Sequence, residues 1–286
     1  MPDRWHARPA HVGIDMIKSL ANHEVDVGLD IKQSTGSDLL CASCVGGKLA
    51  WHTFPEKGSD AENALDVVHI DLCGPFRLAA ADGSLYFLLL KDRKTRFVWV
   101  RPIAKKSDVL SVFEKWLKEV EWLMSKSEKR LRSDHEGEFL GRKFTNLVEG
   151  KGILHNLTCP YTPQQNGMAE QEMRTVVEAA RTMLLHMGVK HHWWHLALRH
   201  AVWMRNCLER ASLPPRTTLY ELLLKKKPDL TLARAWGCMV QFMVPEQQRG
   251  RKLAPKACWG IQLGVSPESK GWEVLDLTDN RVIASV

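Results

Sequence analysis

The run "LYFLLLK" (residues 85–91) is almost continuously apolar. It is far too short for the ~20 residues that a helix needs to cross a bilayer. It reads instead as a β-strand buried on both faces, which requires cover on both sides of a sheet. Its neighbours fit that sheet. "LDVVHIDL" (65–72) alternates, with Leu65, Val67, His69 and Asp71 on one side and Asp66, Val68, Ile70 and Leu72 on the other. "FVWVRPI" (97–103) follows the turn-like "KDRKTR".

Helical periodicity then takes over. Ser107 is a good N-cap with Asp108 behind it, and Val109, Phe113, Trp116, Leu117, Val120 and Leu123 form one stripe. "KRLRSD" (129–134) is a short strand that ends in an acid. "FLGRKFTNLVEGKG" is a helix with Phe144, Leu147 and Val148 inside, and "ILHNLT" (153–158) is a fifth strand. A long helix is expected from Met168 to Gly188, then a Trp-rich helix that ends before Pro214 and Pro215. Three strands, helix, strand, helix, strand and helices are the order of a ribonuclease H-like mixed five-stranded sheet, although order alone leaves other α/β folds open.

The chain has 286 residues, 44% of them hydrophobic, enough for a real core and more than one domain. The N-terminal "MPDRWHARPAH" lacks the apolar stretch of a secretory signal, so an intracellular soluble protein is expected. Seven scattered cysteines, only Cys41 and Cys44 close together, argue against a disulfide framework. The net charge is +7. Between Lys225 and Lys256, eight Lys or Arg face only Asp229 and Glu246, so one segment carries most of the surplus. A polyanion such as nucleic acid is its natural partner, and a plain solvated face is the alternative.

Three acids stand where stability alone would not put them. Asp71 ends the first strand, Asp134 ends the fourth, and Glu170 is expected in the first turn of the long helix. Adjacent strand ends with a helix start across them would gather the three carboxylates, whose repulsion a divalent cation such as Mg²⁺ or Mn²⁺ removes. Two such ions suit phosphodiester chemistry. Taken singly, Asp134 could be a turn residue and Glu170 an ordinary first-turn acid. The loop "CPYTPQQNGMAEQE" (159–172) places Gln164, Gln165 and Asn166 directly ahead of Glu170.

The blocks "VVHIDLCGP", "LRSDHEGEF" and "PYTPQQNGMAEQ" resemble the three catalytic blocks of copia-type retrotransposon integrases, in the retroviral integrase superfamily. The resemblance runs over nearly the whole chain. It implies a ribonuclease H-like core over residues 60–215, with Asp71, Asp134 and Glu170 as ligands of two Mg²⁺ or Mn²⁺ ions. It implies a flexible amide loop that touches DNA near the cut. It also implies a homo-oligomer acting on element ends and target DNA, in the nucleus or a cytoplasmic particle, with no membrane role. Arg174 and Arg181, four and eleven residues beyond Glu170, share a helical face and can meet phosphates.

His6, His11, Cys41 and Cys44 offer two imidazoles and two thiolates, which suit one tetrahedral Zn²⁺. The resemblance implies the same, an HHCC module over residues 1–55, although "WHARPAH" stands where the family usually has "WHxRLGH". His191 and His195, four apart in "HHWWH", read as the edge of a packing face rather than a metal pair. Residues 230–286 resemble the segment after the core in copia-type polyproteins. They suggest a small β-rich module of three short strands that contacts DNA through the nearby cations Lys225, Lys226, Lys227, Arg249, Arg251 and Lys252.

Two departures fall beside the acids. Asp134 is followed by His135 and Glu136 where the family commonly has Asn-Gly, and Glu170 by Gln171 where it commonly has Arg. They raise a second expectation, a decayed or domesticated nucleic-acid-binding protein that keeps the fold. A different nuclease on the same fold is a third, but it would need neither the HHCC set nor the amide loop.

Overall fold

The computed structural model describes residues 11–13, 16, 41–48, 61–124, 129–157, 163–210, 213–231, 233–245, 247, 249, 255–266 and 271–285. A short helix, α1 (Ala42–Lys48), precedes the core. The core sheet is built from β1 (Val68–Cys73), β2 (Tyr86–Asp92), β3 (Val98–Ile103), β4 (Arg130–Ser133) and β5 (Leu154–Leu157). Its order is β3-β2-β1-β4-β5, with β1 antiparallel to β2 and parallel to β4. This is the mixed ribonuclease H-like sheet expected from the strand order.

Helices cover both faces, as the apolar run in β2 demands. On one side α2 (Val109–Met124) and α4 (Arg142–Gly150) pack Phe113, Trp116, Phe144 and Val148 against Val68, Ile70, Leu88 and Leu90. On the other, α5 (Pro163–Met187) and α6 (Trp194–Cys207) pack Val176, Met183, Ala197 and Ala201 against Phe87, Leu89, Val98 and Val100. Alternation along β2 thus sends Phe87 and Leu89 into one core and Leu88 and Leu90 into the other, each filled by a different helix pair.

Several boundaries differ from the sequence reading, each for a local reason. Leu65 does not share a face with Asp71. Its φ of 67° turns the chain before β1 begins, and its side chain joins Val68 and Ile70. Ser107 is not the cap. A 3₁₀ turn, Lys106–Asp108, leads into α2 with Lys105 at its N-cap. Extended Gly141 splits the next helix into α3 (Gly137–Leu140) and α4. The long helix starts at Pro163, so Gln164, Gln165 and Asn166 lie in its opening turns rather than in a loop. Pro is well placed there, because the first helical N–H groups have no intrahelical partner to lose.

After α6 comes α7 (Leu219–Leu224), whose N-cap Thr218 accepts a hydrogen bond from the Glu221 amide at 3.1 Å. The C-terminal sheet has four antiparallel strands rather than three: β6 (Met239–Met243), β7 (Ala257–Val265), β8 (Trp272–Asp276) and β9 (Arg281–Ser285). Asn280, at φ 54°, makes the turn into the unexpected fourth strand. Leu263 and Leu275 join the core under α6, so this sheet is fastened to the larger domain.

Candidate catalytic metal centre

Asp71 lies near the C-terminal end of β1 and is only 7% exposed. One carboxylate oxygen accepts the Leu72 amide at 2.9 Å. Burial pushes its pKa up to about 7, and the nearby charges of Asp134, Glu136 and Glu170 push in the same direction. Asp134 follows β4, which runs parallel to β1, so the two acids leave the sheet from adjacent strand ends. Ser133 anchors that exit. Its hydroxyl donates to the Asp134 carbonyl at 3.0 Å and lies 2.8 Å from His155 Nε2. Glu170 is exposed and sits about two turns into α5, not in its first turn. Of the three acids singled out in the sequence, Asp71 is therefore within electrostatic reach of both Asp134 and Glu170.

The sequence reading placed no metal-site role on Glu136, yet its charge also bears on Asp71. Its amide donates to Asp134 Oδ1 at 3.1 Å. Lys106 balances it, with Nζ 3.1 Å from Glu136 and 3.0 Å from Glu138. Burial still raises the Glu136 pKa, opposed by the Lys106 hydrogen bond. Its position two residues after Asp134, on a strand-to-helix turn, was the available signal. Burial and neighbouring acids disfavour the charged forms of Asp71 and Glu136, a penalty that a proton or a divalent cation relieves. The oxygens of the four carboxylates do not all meet within the 4.8 Å that gathers His11, Cys41 and Cys44 at the N-terminus, but all-oxygen donors of this kind are the chemistry that a hard divalent ion takes.

A second feature lies one layer below. Glu172 is 1% exposed. Its carboxylate pairs with Lys91 at 2.9 Å, with Arg205, and more distantly with Arg210 at 4.0 Å. This ties α5 to β2 and to α6. The signal was Lys91 at the end of an apolar strand, since a buried ammonium needs an acid.

At the N-terminus, His11, Cys41 and Cys44 place one donor atom each within 4.8 Å of one another. Cys41 Sγ is 3.5 Å from His11 Nδ1. A tetrahedral zinc with ordinary bond lengths sets nitrogen and sulfur ~3.6 Å apart, so three of the four expected donors fit the ion. His6 lies outside the described residues. His191 and His195 do not come together as a pair: His191 is exposed, while His195 is buried with Nε2 4.0 Å from Asp82.

Among the expected DNA contacts, Arg174 and Arg181 are exposed on α5, and Lys225, Lys226 and Lys227 are exposed beyond α7. Arg249 turns back, its Nε donating to the Val244 carbonyl at 2.7 Å. Arg251 and Lys252 lie outside the described residues, as do the side chains of Gln164, Gln165 and Asn166.

A mixed five-stranded sheet with acids at adjacent strand ends defines an integrase-type core of the ribonuclease H-like fold, and residues 61–163 match the integrase core domain. Residues 238–286 match the retroviral polymerase SH3-like domain. The chain is 32% identical over 285 residues to the retrovirus-related Pol polyprotein from transposon TNT 1-94 of Nicotiana tabacum, covering 99% of this chain and 21% of that protein. It is 25% identical over 282 residues to the Pol polyprotein from transposon RE1 of Arabidopsis thaliana, covering 98% of this chain and 19% of that protein. The chain thus carries an integrase core domain and is similar to retrotransposon Pol polyproteins, and it spans about a fifth of the length of these curated relatives. In fold it is similar to a chain of the simian T-cell lymphotropic virus intasome in complex with PP2A regulatory subunit B56 gamma. The TM-score is 0.50 at 12% identity, covering 86% of this chain and 87% of that one.

Proposed function

We propose that this chain joins DNA ends to target DNA as a copia-type integrase, with Asp71, Asp134 and Glu170 as the ligands of two Mg²⁺ or Mn²⁺ ions. The observation that carries this reading is buried Asp71 near the end of β1 with Asp134 leaving the adjacent end of parallel β4, and Glu170 close enough to help raise the Asp71 carboxyl. When bound, such ions supply Lewis-acid stabilisation to the attacking and leaving oxygens of an in-line displacement. The chain supplies the rest. Asp71 is fixed by the Leu72 amide, and Asp134 is oriented by the Glu136 amide. Glu170 comes from a helix locked to the sheet through Glu172 and Lys91. The exposed cations Arg174, Arg181, Lys225, Lys226 and Lys227 hold DNA by its phosphates, with Arg249, Arg251 and Lys252 adding to the same basic segment. His6, His11, Cys41 and Cys44 hold one structural zinc. A homo-oligomer working in the nucleus or in a cytoplasmic particle completes the proposal.

The test is strand transfer of a terminal-repeat oligonucleotide into plasmid DNA with Mg²⁺. Asp71→Asn, Asp134→Asn and Glu170→Gln should each abolish joining while the fold survives. Near-normal turnover in Glu170→Gln would remove that residue from the ligand set.

Glu136 favours a second reading, a decayed enzyme that still binds metal and DNA. Its carboxylate adds negative charge to the approach of a phosphate, although Lys106 offsets part of it. On that reading the unmodified chain joins DNA weakly, and His135→Asn with Glu136→Gly, or Gln171→Arg, improves it. Robust joining by the unmodified chain would overturn the decayed reading.

A further inference from the structure

On the face that carries Asp71, α5 lies over β1 and β2. The outer strands β4 and β5 are left more open, with Arg130, Leu154 and Asn156 exposed and Arg132 half-buried. Register sets Arg132 beside His69 on one side and Asn156 on the other, and Arg130 beside Leu154. Leu131 and His155 point to the opposite face, where they meet the α4 side of the core. Alternation therefore lines up Arg130, Arg132 and Asp134 on one face, with the acid at the end. Arg93 adds a third guanidinium at the foot of β1, where its amide donates to the Val67 carbonyl at 2.9 Å.

These cations crowd one another. Burial and the charges of Arg93 and Arg130 hold Arg132 below the ordinary guanidinium value. Arg93 and Arg132 also act on buried His69, which stays neutral and whose ring nitrogens have no hydrogen-bond partner among the described residues. Two acids at this end serve other groups. Asp66 binds Lys129 at 2.8 Å and the Asn63 amide, and Asp92 binds Thr95 and the Leu65 amide.

We propose that Arg132, Arg130 and Arg93 form a phosphate-binding strip that guides one strand of DNA away from the carboxylate cluster. The inference deepens the integrase reading and takes the identity of its partner from it. Residues two apart on a strand are ~6.6 Å apart, close to the step between successive phosphates of an extended strand. Arg130 and Arg132 follow one another along β4 toward Asp134, a file that suits one strand, while Arg93 flanks Arg130 across Val67. Asn156 offers an amide beside Arg132, and exposed Leu154 offers an apolar surface beside Arg130.

Anisotropy with a labelled oligonucleotide in EDTA separates binding from chemistry. The substrates are a duplex with a single-stranded overhang, the same duplex blunt, and an overhang of RNA. Arg130→Gln with Arg93→Gln should flatten the slope of log K against log salt on the overhang substrate by roughly 1.4, about 0.7 for each lost contact to a single strand. The blunt duplex should change less. Arg132→Gln should add to the effect if it folds, and the double variant carries the test if it does not. Lys225→Gln with Lys226→Gln and Lys227→Gln is the control for a separate basic surface. An unchanged slope in a double variant with a native melting temperature would overturn the strip. An equal change on blunt duplex would overturn the single-strand assignment, and a larger change on RNA would overturn DNA as the partner. If the unmodified chain fails to join DNA, the integrase reading falls while these slopes still report on the strip.

Discussion

Two glutamates two residues apart on α5 carry opposite duties. Glu170 faces solvent beside the other acids, whereas Glu172 is enclosed by Lys91, Arg205 and Arg210. Removing one partner of a buried ion pair strands the other, at a cost of about 3–5 kcal/mol. Glu172→Gln should therefore lower the urea midpoint sharply, while Glu170→Gln should leave stability within ~0.5 kcal/mol and affect only metal-dependent chemistry. Equal midpoints for the two variants would show that α5 is not held by this carboxylate. His195 gives a residue-level dependence on pH. Burial lowers its pKa from 6.5, against a smaller upward pull from Asp82. The unfolded chain then takes up a proton near pH 6.5 that the folded chain refuses, so this stability is present above pH 6.5 and is lost as pH falls below it. The melting temperature should decline on that side, and His195→Gln should make the decline shallower. The remaining slope belongs in part to His155 and His192, which burial lowers as well.

Strands were more legible than helix ends. The unbroken apolar run of β2 and the alternation of β1 follow from burial on a pleated sheet, which leaves a direct mark on sequence. The start of α5 left a misleading one. Asn166 and Gly167 look like a turn, and Gly in a helix interior costs ~1 kcal/mol relative to Ala. A helix of 25 residues, packed on the sheet and on α6, absorbs that cost through tertiary contact. Asp71 and Asp134 were legible as strand-end acids, and Glu170 as an acid near the head of a helix. Glu136 and the Lys91–Glu172 pair were not, because their meaning depends on which elements stack in space. Gly167→Ala checks the helical placement. It should raise stability by a few tenths to ~1 kcal/mol if residue 167 is helical, and leave it unchanged or lower it if a left-handed turn is required there.

At the scale of the whole chain, the two sheets share one apolar core. Trp236 is 1% exposed, its indole N–H donates to the Leu263 carbonyl at 2.7 Å, and both residues join the cluster beneath α6. Cutting away residues 225–286 would thus bare that core as well as remove cations, so neutralising Lys225, Lys226 and Lys227 is the cleaner probe of DNA affinity. Trp236→Ala should cost about 3–5 kcal/mol and loosen both sheets in a single transition. Two separate transitions would mean that the C-terminal sheet folds on its own. The contact between α1 and α5 leads to a different kind of dependence. A Cβ on Gly47 would collide with the Thr182 hydroxyl oxygen, and the His11 ring meets His186 edge-on at 4.6 Å. Gly46 and Gly47 make α1 a poor helix by itself. Its shape is cast against α5 much as wax takes the form of a seal, so a peptide of residues 1–60 supplied with zinc should show little of the α1 helix that the full chain holds.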